Sequence, residues 1–231
     1  FRGLSFETIS GYGSNGSIIH YRVSQHTNKI LDKNNLFLFD SGAQYLDGTT
    51  DITRTISIGS SPTDEQKDAY TRVLKGNMEL SNHIFNNKTT GKELDRIARK
   101  HLKKKNLDYS HGTGHGVGSY LSVHEGPISI SKKSNTTFQK GMLITNEPGF
   151  YKNNEYGIRI ENILLITKKK KFLGFEILTL APLDLSLIDN KLLNLKEKKW
   201  INSYHFNVFK KISKFLTFNE RKWLKKNTMP I

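Results

Sequence analysis

The sequence contains no cysteine. Disulfides, thiolate nucleophiles and cysteine-ligated metals are therefore excluded, and any metal site must use histidine and carboxylate oxygen. A chain without cysteine fits a reducing compartment, so a cytoplasmic location is the expectation. No apolar run approaches the ~20 residues that cross a bilayer, and nothing at the start resembles a signal peptide. No membrane partner is expected. The chain opens on Phe1, not on Met, which points to a processed chain or a fragment.

Acidic residues are the minority, 21 against 36 basic, for a formal charge of +15. That balance invites a nucleic-acid reading. The lysines, however, fall in separate short runs at 103–105, 168–171, 198–199, 210–211 and 225–226. They lack regularly interleaved aromatics and any recognisable nucleic-acid module, so a solvated lysine-rich surface is expected and no specific nucleic-acid partner. At 231 residues the chain can bury a core without staples, as one main domain with an appendage.

What the sequence does have is concentrated between residues 111 and 127, where His111, His115 and His124 are interleaved with five glycines. Glycines let backbone come close to a ligand, and neutral imidazole can bind metal or move a proton near neutral pH. A Gly-rich surface loop carrying histidines is the bland alternative, and this stretch alone does not separate the two. Carboxylates elsewhere do. Asn35–Asp40 is a near-continuous apolar run ending in a carboxylate, and a charge at the end of a buried strand needs partners. The alternation from Asp51 predicts a second strand with a carboxylate at its start, Asp47 being a residue of the turn between them. A third strand from Gly141 delivers Glu147 to a Pro-Gly turn. A fourth, from Tyr156, puts Ile158 and Ile160 on one face and Arg159 with Glu161 on the other. An Arg and a Glu sharing a face also suit a plain ion pair.

The remaining elements read as scaffold. Ser17–Tyr21 looks like a strand ending at His20. Thr63 with Gln66 forms a capping box ahead of an apolar face of Tyr70, Val73, Leu74, Met78 and Ile84, and Thr90 with Glu93 repeats it ahead of Leu94, Ile97, Ala98 and Leu102. From about Asn194, the residues Ile201, Tyr204, His205, Val208, Phe209, Ile212, Phe215 and Leu216 follow helical spacing. Trp223 and Leu224 extend the pattern after a break near Asn219. This face should close on its own domain or on a second subunit.

The strand-end residues form a set: Asp40, Asp51, His115, Glu147 and Glu161. Four carboxylates converging in a low-dielectric site repel one another. Two divalent cations, with a bridging hydroxide, bring such a cluster near neutrality. Oxygen-rich ligation suits manganese, with cobalt or zinc as substitutes.

Residues 40–55, 111–127, 146–151 and 157–162, in their wording and spacing, resemble aminopeptidase P, the Xaa-Pro aminopeptidase type of the M24 metallopeptidases in its eukaryotic cytosolic form. The resemblance implies an α/β (α+β) pita-bread fold, a curved antiparallel sheet with pseudo-twofold symmetry. The catalytic domain would occupy 1–185, with its opening part missing, and a helical extension 186–231. It implies Asp40 as ligand of one metal, Asp51 and Glu161 as bridging carboxylates, and His115 with Glu147 on the other metal. Glu147 would relay a proton; His111 and His124 would assist catalysis, and His20, His115, His124 and Glu147 would bind substrate. Arg159 would support the bridging carboxylates. Peptides with proline second, a bridging water and a homodimer belong to the same expectation. Asn146 and Phe150 depart from the family pattern without touching a ligand position. The alternatives are a sister M24 enzyme, prolidase or methionine aminopeptidase, or a non-catalytic pita-bread binding protein. An upstream segment is expected to cover the sheet face beside Ile18 and Phe37.

Overall fold

The computed structural model describes residues 1–231 apart from 33 and 60. The first part of the chain is strand-rich: β1 (Gly3–Leu4), β2 (Ile9–Tyr12), β3 (Asn34–Ser41), β4 (Ala43–Tyr45), β5 (Gly48–Thr49) and β6 (Ile52–Gly59). Two helices follow, α1 (Asp64–Ser81) and α2 (Gly91–Lys103). Then come β7 (Gly114–Gly116), β8 (Glu125–Ile130), β9 (Leu143–Asn146), β10 (Gly149–Lys152), β11 (Tyr156–Arg159), β12 (Asn162–Lys169) and β13 (Phe172–Ile177). The chain closes with α3 (Leu195–Ile212) and α4 (Phe218–Asn227).

The strands form antiparallel sheets in the orders β2-β3-β6, β1-β4-β5, β10-β11 and β13-β12-β9-β7-β8. Period 2 along β3 turns Leu36, Leu38 and Asp40 inward together, so the same alternation that buries the apolar side chains buries the carboxylate. Among the described residues, Phe39 and Ile56 on the opposite face stay 41% and 39% exposed.

Both capping boxes form, at Thr63/Gln66 and Thr90/Glu93, and a third caps α3 at Asn194/Glu197. The α1 face of Tyr70, Val73, Leu74 and Met78 packs with Ile158, Ile160, Leu183, Ile201, Tyr204 and Val208 in the main core, so the extension closes on its own chain. A second core joins Leu94 and Ala98 of α2 to Ile130, Ile144, Leu164 and Ile166 of the five-stranded sheet. Among the described residues, no helix is long and apolar enough to cross a membrane.

Several sequence expectations need correction. Residues 18–21 form no strand; the glycines before them wind a 3-10 turn over Gly13–Ser17, leaving Ile18 exposed, and the strand lies earlier, at Ile9–Tyr12. Ile84 lies beyond the end of α1 and is exposed. The strand from Tyr156 is two strands, interrupted at Ile160 and Glu161 where the chain passes from one sheet to another. The break in the tail falls before Thr217, which caps α4, and Asn219 lies inside that helix. Phe215 and Trp223 point outward.

One buried side chain ties α1 to both carboxylate-bearing segments. Asn77 Nδ2 donates to the carbonyls of Asn146 at 2.9 Å and Ile160 at 3.1 Å, each just before a candidate ligand. Asn77→Ala strands both carbonyls in the interior and should cost about 3 kcal/mol by urea denaturation, given ~1–3 kcal/mol per unsatisfied buried group. A cost below ~1 kcal/mol would show that water replaces the amide.

Candidate metal centre

The chain's edges and gaps carry the site. Asp40 sits near the end of β3 directly opposite Thr53 of β6, and Asp51 precedes β6 on Thr53's face. Glu147 follows β9, and Glu161 occupies the crossing between β11 and β12, where its N–H donates to the Thr53 carbonyl at 3.1 Å. His115 stands in β7 at a register shift against β8, a bulge of the kind that re-aims a side chain. Gly114 before it lies so close to the Thr145 carbonyl that a Cβ would collide, hence the glycine.

These elements bring all the sequence-predicted site residues to one cavity of about 320 Å³. His20, Asp40, Asp51, His111, His115, His124, Glu147, Arg159 and Glu161 line it. Among the described residues, Asp51, His115 and Glu161 each offer an atom within 4.8 Å of the others. His115 Nδ1 lies 2.9 Å from the Gly116 carbonyl, which as a donor leaves Nε2 with its lone pair facing Asp51 Oδ2 at 3.4 Å and Glu147 Oε1 at 3.5 Å. Those gaps exceed the 2.7–2.9 Å of a direct charge-assisted bond.

Arg159 is the guanidinium that faces the carboxylates. It donates to Asp40 Oδ2 at 2.6 Å, to Tyr151 Oη at 2.6 Å and to Thr53 Oγ1 at 3.1 Å, while Thr53 donates to Glu161 Oε2 at 2.7 Å. One such cation against four carboxylates leaves the cluster short of positive charge. Burial pushes the Glu147 carboxyl up to about 7 against the pull of His115 and Arg159. Burial, then the charges of Asp51, Glu147 and Asp40, hold Glu161 well above the usual carboxylate range. Asp40 is raised by burial despite Arg159, and its Oδ1 is buried without a hydrogen-bond partner. Burial lowers His115, but the Asp51 hydrogen bond and the Glu147 charge outweigh it, for a net rise. A carboxylate oxygen buried without a partner among the described residues, an imidazole whose Nε2 faces two carboxylates and carboxylates that cannot all ionise together are what divalent cations would complete, so the donor set fits them.

The other histidines differ in character. Burial, then Arg159, drives His111 down to about 3; it is neutral, with Nδ1 2.6 Å from the Gly112 carbonyl and Nε2 2.9 Å from Tyr151 Oη. His124 lies at the mouth with its ring centroid 4.2 Å from that of His115, and burial lowers it as well. His20 lines the same wall beside Phe6, Ile9 and Ile19.

Sequence reasoning missed the supports. Thr145 accepts the His115 N–H at 3.0 Å and donates to Glu147 Oε1 at 3.2 Å, holding two candidate ligands with one hydroxyl. Tyr151 links His111 to Arg159, and Thr53 could have been read from its alternation with Asp51. Arg54 gives no such signal. It is buried, spends its donors on the Glu161 carbonyl, Asn162 Oδ1, the Ala181 and Pro182 carbonyls and Tyr204 Oη, and so fastens the C-terminal extension to the backbone of Glu161.

A model of metallopeptidase family M24 matches residues 1–168, and one of the C-terminal region of M24 peptidases matches 171–231. The chain belongs to metallopeptidase family M24. Among its M24 relatives, the probable Xaa-Pro aminopeptidase P of Paracoccidioides brasiliensis is 49% identical over the whole chain and 39% of its own length. The protein of that description from Laccaria bicolor is 46% identical over the whole chain and 38% of its length. X-prolyl aminopeptidase of Caenorhabditis elegans, described as a cytosolic enzyme with a di-nuclear active site, superposes with a TM-score of 0.94 at 41% identity, over 99% of this chain and 39% of that one. Prolidase of Pyrococcus furiosus reaches 0.67 at 35% identity, over 76% and 49%. The chain thus spans about two fifths of the curated relatives it matches. Its architecture is the mixed α/β pita-bread fold of M24 peptidases.

Proposed function

We propose that this chain carries the catalytic centre of a dinuclear metal-dependent aminopeptidase that releases the N-terminal residue of peptides whose second residue is proline. The observation that carries the reading is the cavity where four carboxylates and four imidazoles, His115 among the carboxylates, meet the Arg159 guanidinium. Asp40 would hold one cation, Asp51 and Glu161 would bridge, and His115 with Glu147 would hold the other. Manganese suits this oxygen-rich set, with cobalt or zinc able to replace it. When bound, the cations supply charge stabilisation and lower the pKa of water.

The chain's own groups do the rest. Glu147, at the edge of the same cluster, can take a proton from water and return it to the departing prolyl nitrogen. His124, neutral and at the mouth, can donate to a substrate carbonyl as negative charge develops there. His111, fixed by Gly112 and Tyr151, sets the opposite wall. A prolyl nitrogen in a peptide bond has no proton to offer, so the ring must be read by shape, and Phe6, Ile9 and Ile19 beside His20 supply an apolar surface for it. A cytoplasmic homodimer completes the proposal; the outward Phe206, Phe215, Phe218 and Trp223 of the extension support an association surface.

The test is hydrolysis by the metal-loaded protein of an Xaa-Pro-Yaa tripeptide, an Xaa-Pro dipeptide and an Xaa-Ala-Yaa tripeptide. Cleavage of the first alone is expected. Cleavage of the dipeptide alone would replace this reading with a prolidase, and a protein that binds no metal would leave a binding role.

A further inference from the structure

An ion pair on α2, outside the cavity, reaches into it from behind. Asp95 and Arg99 lie one helical turn apart, both buried, with Arg99 Nε 2.7 Å from Asp95 Oδ2. We infer that Asp95 and Arg99 are positioning residues that set His111 and Glu147 through the backbone of residues 109–113; the inference rests on the proposed aminopeptidase reading.

The guanidinium donates to the Tyr109 carbonyl at 2.6 Å, to the His111 carbonyl at 2.7 Å and to Asp108 Oδ1 at 2.7 Å. Its Cζ lies 3.7 Å from the centroid of the Tyr109 ring. Four acceptors in a fork, plus an aromatic ring against the cation, suit arginine and cannot be matched by an ammonium, whose donors radiate from one atom. The carboxylate takes the other branch. Thr113 donates from its hydroxyl to Asp95 Oδ1 at 2.6 Å, and the Thr113 carbonyl accepts the Glu147 N–H at 2.8 Å. The Thr113 N–H is in turn fixed on the Ile130 carbonyl at 2.7 Å. One ion pair therefore holds the carbonyl of His111 on one side and, through a single threonine, the backbone of Glu147 on the other. A helix-to-loop staple serving stability alone would need neither branch. Arg72 and Asp68 on α1 show such a staple: the same one-turn pair at 2.7 Å, with Arg72 also donating to the His101 carbonyl, away from the cavity.

The experiment compares Arg99→Lys, Thr113→Val and Arg72→Lys in the full chain, reading metal content, kcat and KM on an Xaa-Pro-Yaa peptide. Arg99→Lys should keep both metals and lower kcat by about 10–100-fold, the usual range for groups that orient a metal site from behind. KM should move far less, since the substrate-facing surface is intact. Thr113→Val, which keeps shape and removes the hydroxyl, should lower kcat in the same direction, and it serves as the deciding variant if Arg99→Lys does not fold. Arg72→Lys should have wild-type kinetics. Wild-type kcat in both Arg99→Lys and Thr113→Val, with only a lowered melting temperature, would overturn the inference. If the wild-type chain cleaves no Xaa-Pro peptide, the aminopeptidase reading fails by itself. Crystal structures of the variants then decide: displaced His111 and Glu147 support the inference, and unmoved ones overturn it.

Discussion

His115→Ala should lose bound metal and all measurable turnover, whereas His124→Ala should keep its metal and lose about 10²-fold or more in turnover. The two imidazole rings lie with centroids 4.2 Å apart, tilted by 57°, so proximity alone does not separate them. Their partners do. His115 has Nδ1 occupied by a backbone carbonyl and Nε2 between two carboxylates, Asp51 and Glu147, which is the environment of a metal-ligating nitrogen oriented from behind. His124 has no carboxylate at that distance; burial and the neighbouring His115 keep it neutral at the open edge of the cavity. A neutral imidazole there can donate to charge that develops on a substrate oxygen, and removing one such donor typically costs about 10²–10³ in kcat. Metal analysis beside kinetics on an Xaa-Pro-Yaa peptide checks both variants. A fully active His124→Ala, or one that loses metal as His115→Ala does, would mean that the two roles have been assigned wrongly.

The same pair shows what the sequence could and could not reveal. The Gly-rich stretch marked both histidines, the apolar run before Asp40 marked that carboxylate and the alternation from Asp51 marked the other, because strand patterning is local and burial follows it. The helix starts were legible for the same reason, since a capping box spans only four residues. Residues 17–21 misled because two isoleucines after a glycine turn have strand-like composition, yet the turn exposes the first of them. Arg159 and Glu161 both line the cavity, although the strand expected to carry them breaks between them, and they do not form an ion pair: Arg159 takes Asp40, 119 residues away, and Glu161 takes Thr53. Arg54 and Asn77 were illegible because most of their partners are backbone carbonyls, up to 128 residues away, and a carbonyl leaves no mark in a sequence. The supports of a site are thus harder to read than its ligands, although they hold the ligands in place.

Metal affinity should fall steeply with acidity, and the slope should identify Glu147. In the metal-free protein burial sets the Glu147 carboxyl near 7 and holds Glu161 well above its usual range, while Asp51 and Glu147 raise His115 against the effect of burial. A cation entering this cluster must therefore displace protons. The sign follows directly. A raised folded pKa means that protons compete at and below that value, so affinity rises with pH until each group is free of its proton and flattens beyond. Every proton displaced changes affinity by about tenfold per pH unit. Glu147 should contribute about tenfold per unit below pH ~7 and drop out above it, on top of whatever slope the raised Glu161 and His115 add. His111, lowered to about 3, is neutral across this range and adds nothing. Calorimetric titration with manganese from about pH 5.5 to 8, for the wild type and for Glu147→Gln, resolves the assignment. Glu147→Gln, whose carboxamide brings no proton to displace, should bind more weakly overall, with a slope shallower by one proton below pH ~7 and equal to the wild type's above it. Affinity that stays level between about pH 5.5 and 7 in the wild type would mean that these carboxylates are already ionised without metal, and that the cavity lacks the charge deficit on which the dinuclear reading stands.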